Sequence, residues 1–180
     1  MRVLAALSVL LFPITVHAES LTGYYEITKP NGVVVPDGEG EICDTELSME
    51  RTCVQSIETK DVLGLKELED GSLQFSSHLS FFNGHSCAIS GIAKQDSSGW
   101  LFTENLPIGQ NGEDIECMFN ISVQDEMIVL NGGNECRTYY CGMRGHLNNI
   151  KFPKSSKVRE AISDHELKCI GIYSDECENE

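Results

Sequence analysis

Positive charge is scarce in this sequence. Its 180 residues contain 13 Lys and Arg against 28 Asp and Glu, a formal net charge of −15 at pH 7. Contacts to phosphate require an excess of Lys and Arg, so this balance argues against nucleic acid as a partner. It disfavours an anionic membrane surface for the same reason. A cationic protein is the favoured partner, because opposite charge accelerates encounter.

Aromatic residues are also few, at 7% of the chain with a single Trp, whereas hydrophobic residues make up 41%. This apolar content is enough to fill one core, and the length suggests one domain rather than two. The chain is too apolar to be intrinsically disordered.

Apolar runs of the roughly twenty residues that span a bilayer are absent. The one pronounced run, Val3 to Phe12, follows Arg2 and precedes Val16-His17-Ala18, a small-x-small cleavage site. This order is typical of an export signal. We therefore predict that residues 1–18 are a signal peptide and that the protein is periplasmic or secreted. No Cys directly follows the cleavage site, so we expect no lipoprotein anchor in the membrane.

The cysteines lack the spacing of a zinc ribbon. No C-x2-C pair occurs among the eight, and an even number in an exported chain is typical of disulfides. Cysteines close in sequence form short loops and are expected to pair with each other. The two cysteines that remain, Cys87 and Cys117, then pair by elimination. The predicted pairs are Cys43–Cys53, Cys136–Cys141, Cys169–Cys177 and Cys87–Cys117.

Catalytic signatures are missing as well. There is no G-x-S-x-G, His78 lies on the polar face of a strand-like run, and His146 follows a glycine-rich stretch. No carboxylate pair stands out for glycoside hydrolysis, and paired cysteines leave no thiol nucleophile. We therefore predict that the protein is not an enzyme, with a hydrolase as the third hypothesis.

Two segments contain residues that bind metals. Asp37 to Glu41 alternates acids with Gly, as calcium prefers, but lacks the order of an EF-hand. His85-Ser86-Cys87 could ligate zinc, although a turn residue followed by a half-cystine is the favoured interpretation. We expect neither a metal nor a cofactor.

Apolar residues alternate with polar ones between residues 62 and 152. In Ile115 to Val123 every odd position is apolar, and Ser72 to Phe81 repeats the pattern, which is typical of half-buried strands. Turn dipeptides such as Asp70-Gly71 and Asn131-Gly132 separate the runs. The predicted strands are roughly 21–28, 62–68, 72–82, 86–94, 99–104, 115–123, 126–130 and 146–152.

These strands predict a mainly β fold. About eight short antiparallel strands must close or stack to hide their edges, which gives a small barrel or sandwich with one or two short helices. The helices are predicted within Asp44 to Gln55, where Asp44 could be an N-cap, and within Val158 to Leu167. We predict a disulfide-stapled β-domain over 19–152 and a polar C-terminal extension over 153–180.

The stretch from Cys136 to Gly145 is the most distinctive in the chain. It carries Tyr139, Tyr140 and Arg144, residue types that often anchor interfaces. The alternative is structural: the tyrosines cover the end of the barrel and the arginines pair with acids.

Two stretches resemble uncharacterised exported bacterial proteins. Phe82-Asn83-Gly84-His85-Ser86-Cys87 is similar to their N-G-H-x-C pattern, and Tyr140-Cys141-Gly142-Met143-Arg144-Gly145 to their C-G-x-R-G pattern. The resemblance covers roughly residues 62–152 and implies a domain without implying an activity.

More loosely, a signal peptide, an acidic chain and a disulfide-bonded barrel resemble the periplasmic inhibitors of c-type lysozyme. That family plugs the lysozyme cleft with a loop bearing a Ser-Gly-x-x-Tyr-like motif. The nearest match here is Ser98-Gly99-Trp100-Leu101-Phe102, with Phe in the position of Tyr.

These observations favour an acidic binding or inhibitor protein that docks a cationic protein, such as a lysozyme or a toxin. Trp100, flanked by Ser98 and Phe102, is the best candidate for an aromatic anchor, with packing in the core as the equally favoured alternative. Glu39 and Glu41 are expected to steer the partner. The alternative is a carrier that holds a small apolar ligand inside the barrel.

Overall fold

The computed structural model describes residues 19–36, 42–44, 52–107, 114–171 and 177. The predicted signal peptide lies outside these residues. The described part of the chain contains ten strands and two short α-helices. The strands are β1 Gly23–Pro36, β2 Ile42–Asp44, β3 Thr52–Glu67, β4 Leu73–Ser80, β5 Ser86–Asp96, β6 Gly99–Pro107, β7 Asp114–Gln124, β8 Met127–Gly132, β9 Ile150–Pro153 and β10 Lys157–Arg159. The helices are α1 Asn134–Tyr140 and α2 Asp164–Cys169.

All strand pairs are antiparallel, in the order β10-β1-β3-β4-β5-β6-β7-β8-β9, with β2 pairing to β3 beside this path. The two outer strands, β9 and β10, follow each other in the chain and are joined by the turn Lys154–Ser156. The sheet is therefore nearly closed into a barrel. The predicted small antiparallel barrel with short helices is confirmed, and each predicted strand overlaps an observed one.

The inward faces of the strands form the core. Leu73, Phe75 and Leu79 alternate along β4 and are buried, as the period-two pattern requires. The aromatic rings of Phe75 and Phe119 stack at a centroid distance of 5.3 Å inside the barrel. Tyr25 from β1 and Phe152 from β9 are also completely buried. The barrel encloses its own side chains.

The helix predicted within Asp44 to Gln55 is wrong wherever the structure describes that segment. Thr52 to Gln55 begins the long strand β3, which pairs with β1 on one side and with β2 on the other. The prediction relied on local sequence, whereas two neighbouring strands determine the conformation here. Residues 45–51 of this prediction lie outside the described residues.

The C-terminal segment packs on the barrel. Strand β10 pairs with β1, and Leu167 of α2 is buried over Gly64, where a Cβ atom would lie 2.8 Å from the Leu167 side chain. The second predicted helix is present but starts later, at the capping box formed by Ser163 and Glu166.

The disulfide pairing is partly corrected. Cys169–Cys177 is confirmed, but Cys87 bonds to Cys141 and Cys117 bonds to Cys136. The predicted Cys136–Cys141 and Cys87–Cys117 pairs are wrong. Cys136 lies within α1 and Cys141 directly follows it, so five residues of helix turn the two side chains about 140° apart.

The remaining predicted pair is Cys43–Cys53. Cys53 is disulfide-bonded, and the strand register sets Cys43 opposite it. The side chain of Cys43 lies outside the described residues. The disulfides fit an oxidising compartment, extracellular or periplasmic. None of the helices that the structure describes is long and apolar enough to cross a membrane.

Candidate functional site

Antiparallel connection gives the barrel two distinct ends. The tight turns that lead into β4, β6 and β8 lie at one end, which we call the turn end. Helix α1 lies at the opposite end, between the end of β8 and the start of β9, and we call this the α1 end. The predicted binding residues divide between them.

Ser98, Trp100 and Phe102 belong to the turn end. The Ser98 hydroxyl donates to Asp96 at 2.8 Å within the turn. The indole N–H of half-buried Trp100 donates to the carbonyl of Gly71 at 3.1 Å, and its ring packs against the core. Phe102 is only 8% exposed and meets the Phe75 ring edge-on at 5.4 Å. Two aromatic side chains of this predicted site therefore contact the core.

Glu39 and Glu41 lie outside the described residues. Their segment lies between β1 and β2, and Pro36 at the end of β1 pairs with Thr52 of β3 at the end of the barrel opposite the turns.

The α1 end brings together the stretches Phe82 to Cys87 and Tyr140 to Gly145. The Cys87–Cys141 disulfide joins them across 54 residues of sequence. The Gly142 N–H also donates to the carbonyl of Ser86 at 2.9 Å. A Cβ atom on Gly145 would lie 2.6 Å from the Cys87 sulfur, so this position requires glycine for close packing.

Helix α1 has only seven residues, too few to be stable alone. Disulfides at Cys136 and Cys141 tie it to β7 and β5. Arg137 adds two hydrogen bonds, from Nε to the carbonyl of Gly145 at 2.9 Å and from Nη2 to that of Met143 at 2.7 Å. The helix and the loop that follows it therefore form one cross-linked unit.

The two tyrosines of α1 have different environments. The Tyr140 hydroxyl donates to the carboxylate of Glu104 on β6. Burial, reinforced by this hydrogen bond, raises the pKa of Tyr140 above its ordinary value. Tyr139 packs edge-on against Tyr140 at 5.0 Å and is 53% exposed. Tyr140 anchors the helix, and Tyr139 presents a ring to solvent.

Two methionines extend this exposed surface. Met143 is 83% exposed in the loop after α1, and Met118 is 52% exposed on the outer face of β7. The carbonyl of Met118 accepts a hydrogen bond from the N–H of Gly133, just before the helix. We call α1 together with Met118 and Met143 the α1 platform.

Charges around the α1 platform are mainly negative. Glu135 is exposed in the first turn of α1, Glu116 is exposed two residues before Met118, and Glu104 is exposed on β6. The guanidinium of Arg137 binds the two backbone carbonyls described above. That of Arg144 lies 5.0 Å from the centroid of the Phe82 ring. Three carboxylates thus surround an apolar surface whose two arginines contact the protein itself.

A separate cleft of about 300 Å³ lies outside the barrel wall, between α2 and the strands. Arg159 lies over the Tyr24 ring at 4.6 Å and pairs with Glu166, and both residues line this cleft. Burial lowers the pKa of His78 on its wall, partly opposed by the charge of Asp61.

Asp61 is buried and binds Lys29 at 2.5 Å and the N–H of Ser80 at 2.8 Å. It therefore belongs to a structural ion pair. Within the described ranges, no three His, Cys, Asp or Glu side chains are grouped to hold a metal ion.

Comparison with family models, curated proteins and solved structures finds no match to this chain. The class that the fold itself defines is a small, acidic, disulfide-bonded antiparallel β-barrel. Its function is inferred below from its own residues.

Proposed function

We propose that the protein is an exported acidic binding protein that docks a cationic protein, such as a lysozyme or a secreted toxin, and inhibits it by docking. The observation that carries this proposal is a strongly acidic chain whose barrel encloses its own side chains. With Tyr25, Phe75, Phe119 and Phe152 completely buried, the outer surface is left to perform the function.

The charge of that surface supports a cationic partner. The net charge is −15, and the cations that the structure describes are extensively paired with acids. Six lie in ion pairs: Lys29–Asp61, Lys60–Glu26, Lys66–Asp164, Lys154–Glu126, Lys157–Glu160 and Arg159–Glu166. Paired cations contribute little field at a distance, so the unpaired carboxylates dominate what an approaching protein meets.

A carrier of small apolar ligands is the alternative function. It would need an internal cavity, whereas bulky side chains fill the inward positions of β4 and β7. The cleft of about 300 Å³ lies outside the barrel wall and is lined in part by Arg159, Glu166 and His78, which suit an apolar ligand poorly.

Capture on the immobilised chain, residues 19–180, tests the proposal. Purified c-type lysozyme is the first probe, and the natural periplasm or culture medium is the second. We expect a cationic protein to be retained at about 0.05 M NaCl and released at about 0.5 M, because salt screens exposed charges. The double charge reversal Glu39→Lys/Glu41→Lys should slow association and flatten its salt dependence.

Retention of no cationic protein by either route would overturn the docking proposal. An apolar compound that copurifies with the protein and survives high salt would then favour the carrier.

A further inference from the structure

We propose that the α1 platform is the surface that contacts the cationic partner, and that the partner presents an apolar side chain surrounded by Lys or Arg. This inference rests on the proposed function and names the face that performs it. Tyr139 and Met143 form the centre of contact, and Glu116 and Glu135 form its acidic rim.

Exposed apolar area is concentrated on the platform. Met118, Tyr139 and Met143 are each more than half exposed, and the two methionines are the only Met side chains so exposed among the described residues. Tyr and Met are enriched in protein interfaces, where a ring or a flexible thioether fills the partner's surface. Helix α1, which carries Tyr139 and lies between Met118 on β7 and Met143 in the following loop along the chain, is about 10 Å long, which fits a compact contact.

The platform is held rigid although it is exposed. Two disulfides, the paired hydrogen bonds of Arg137 and the bond from Tyr140 to Glu104 fix a helix that could not form alone. A rigid surface lowers the entropic cost of association.

Charge complementarity identifies the partner's chemistry. The acids Glu104, Glu116 and Glu135 face solvent around the platform. Arg137 donates through Nε and Nη2 to backbone carbonyls of the protein itself, and Arg144 lies over Phe82. A partner with Lys or Arg around an apolar centre would meet carboxylates at the rim and Tyr139 and Met143 in the middle.

Ile92 is an exposed apolar residue in a different electrostatic setting. It shares the outer face of β5 with exposed Lys94, two residues away. A cationic partner would meet the like charge of Lys94 there. Ile92 therefore provides a matched control, since at 54% it is as exposed as Tyr139 at 53%.

The experiment measures the affinity and association rate of immobilised wild-type and variant chains for c-type lysozyme. If lysozyme is not retained, the probe is the cationic protein that salt elutes from the wild-type chain. The platform variant is Tyr139→Ser/Met143→Ser, and the control is Ile92→Ser. We expect the platform variant to lose more than about tenfold in affinity, and the control to stay within about twofold of wild type.

A second variant, Glu116→Gln/Glu135→Gln, tests the rim without removing apolar area. It should slow association and weaken its dependence on salt while changing the dissociation rate little. Thermal unfolding and intact mass of each variant establish that the barrel and its disulfides are retained.

The outcomes separate the two proposals. If wild type binds the probe and both platform variants bind it equally well, the α1 platform is not the docking face, while the docking function stands. If wild type binds no cationic protein, the docking function is overturned and the platform assignment with it. A loss confined to the platform variants supports both.

Discussion

Trp100 closes the turn end of the barrel, where its indole N–H bonds to Gly71 and its ring packs on the core. Sequence alone made it the expected anchor for a partner. In the structure its contacts are intramolecular, so we assign its main contribution to stability.

Trp100→Ala should lower the free energy of unfolding by about 2 kcal/mol or more, because packing area and a hydrogen bond are lost together. Ile92→Ala, an exposed control, should change it by less than about 0.5 kcal/mol. Urea denaturation measures both. Equal effects of the two substitutions would contradict the packing role. A folded Trp100→Ala chain that loses lysozyme would move the docking face to the turn end.

Single residues also explain why the candidate site was only partly predictable. Tyr139, Tyr140 and Arg144 were recognised by residue type, and the structure brings all three to the α1 end. Met118 and Met143 were missed as site residues. The alternation over β7 already places Met118 on the outward face, but nothing local shows that α1 lies beside it. The proximity of Met118 to α1 is a tertiary property.

Among elements, strands were predictable and α1 was not. Period-two alternation in β4 and β7 follows from burial on one face, and it is visible in any short window. The segment Asn134–Tyr140 is too short for its one helical spacing, Cys136 with Tyr139 and Tyr140, to predict a helix, and tertiary cross-links hold it. Its acidic first turn at Glu135 was the available helix signal.

The two disulfides that tie α1 to β5 and β7 predict specific linked peptides and a loss of stability when one is removed. Intact mass should show one hydrogen lost for each cysteine, and proteolytic peptides should link Cys87 to Cys141 and Cys117 to Cys136. Removing the first bridge with Cys87→Ala/Cys141→Ala should cost about 2–5 kcal/mol of stability. It should also weaken lysozyme binding, because the platform loses one attachment.

Cys169→Ala/Cys177→Ala is the matched control, since this bridge joins α2 to Cys177 and includes no residue of α1. We expect lysozyme binding by this control to remain at the wild-type level. Equal loss of binding by both double variants would mean that general destabilisation, and not the platform, accounts for the effect.

Helix α2 should contribute a stability that depends on pH. The hydrogen bond from the backbone N–H of Ser163 lowers the pKa of Glu166 from 4.5 to about 2, and the hydrogen bond from Arg159 is the second cause. A carboxyl with a lowered pKa stabilises the fold above its unfolded pKa and loses this effect as pH falls through the folded value. The contribution is therefore complete above about pH 4.5 and lost towards about pH 2.

Glu166→Gln keeps a side chain that can cap the helix but removes the charge. Its deficit in stability relative to wild type should be largest near neutral pH and should shrink as the pH approaches about 2. Urea midpoints at several pH values measure the difference. A deficit that stays constant or grows on acidification would contradict this assignment.

For the whole molecule, the sequence predicts an acidic β-barrel but not how the sheet closes or which cysteines pair. The charge of −15 and the alternating pattern led to an acidic barrel, and the structure confirms the barrel. Closure through β9 and β10 and the pairing of Cys87 with Cys141 join residues distant in sequence. A single sequence carries no direct signal for such contacts. Short-loop pairing was right for Cys169–Cys177 and gave the wrong partners for Cys136 and Cys141.

The central claim is that the acidic barrel acts through its α1 end. Amide hydrogen exchange of the chain, measured with and without a saturating cationic partner, tests this claim most directly. The partner is c-type lysozyme or, if lysozyme is not retained, the cationic protein that salt elutes from the immobilised chain. The account predicts slower exchange within 114–120 and 134–145 and no change within 96–102. Protection confined to 96–102, or no protection anywhere in the presence of the cationic protein, would contradict it.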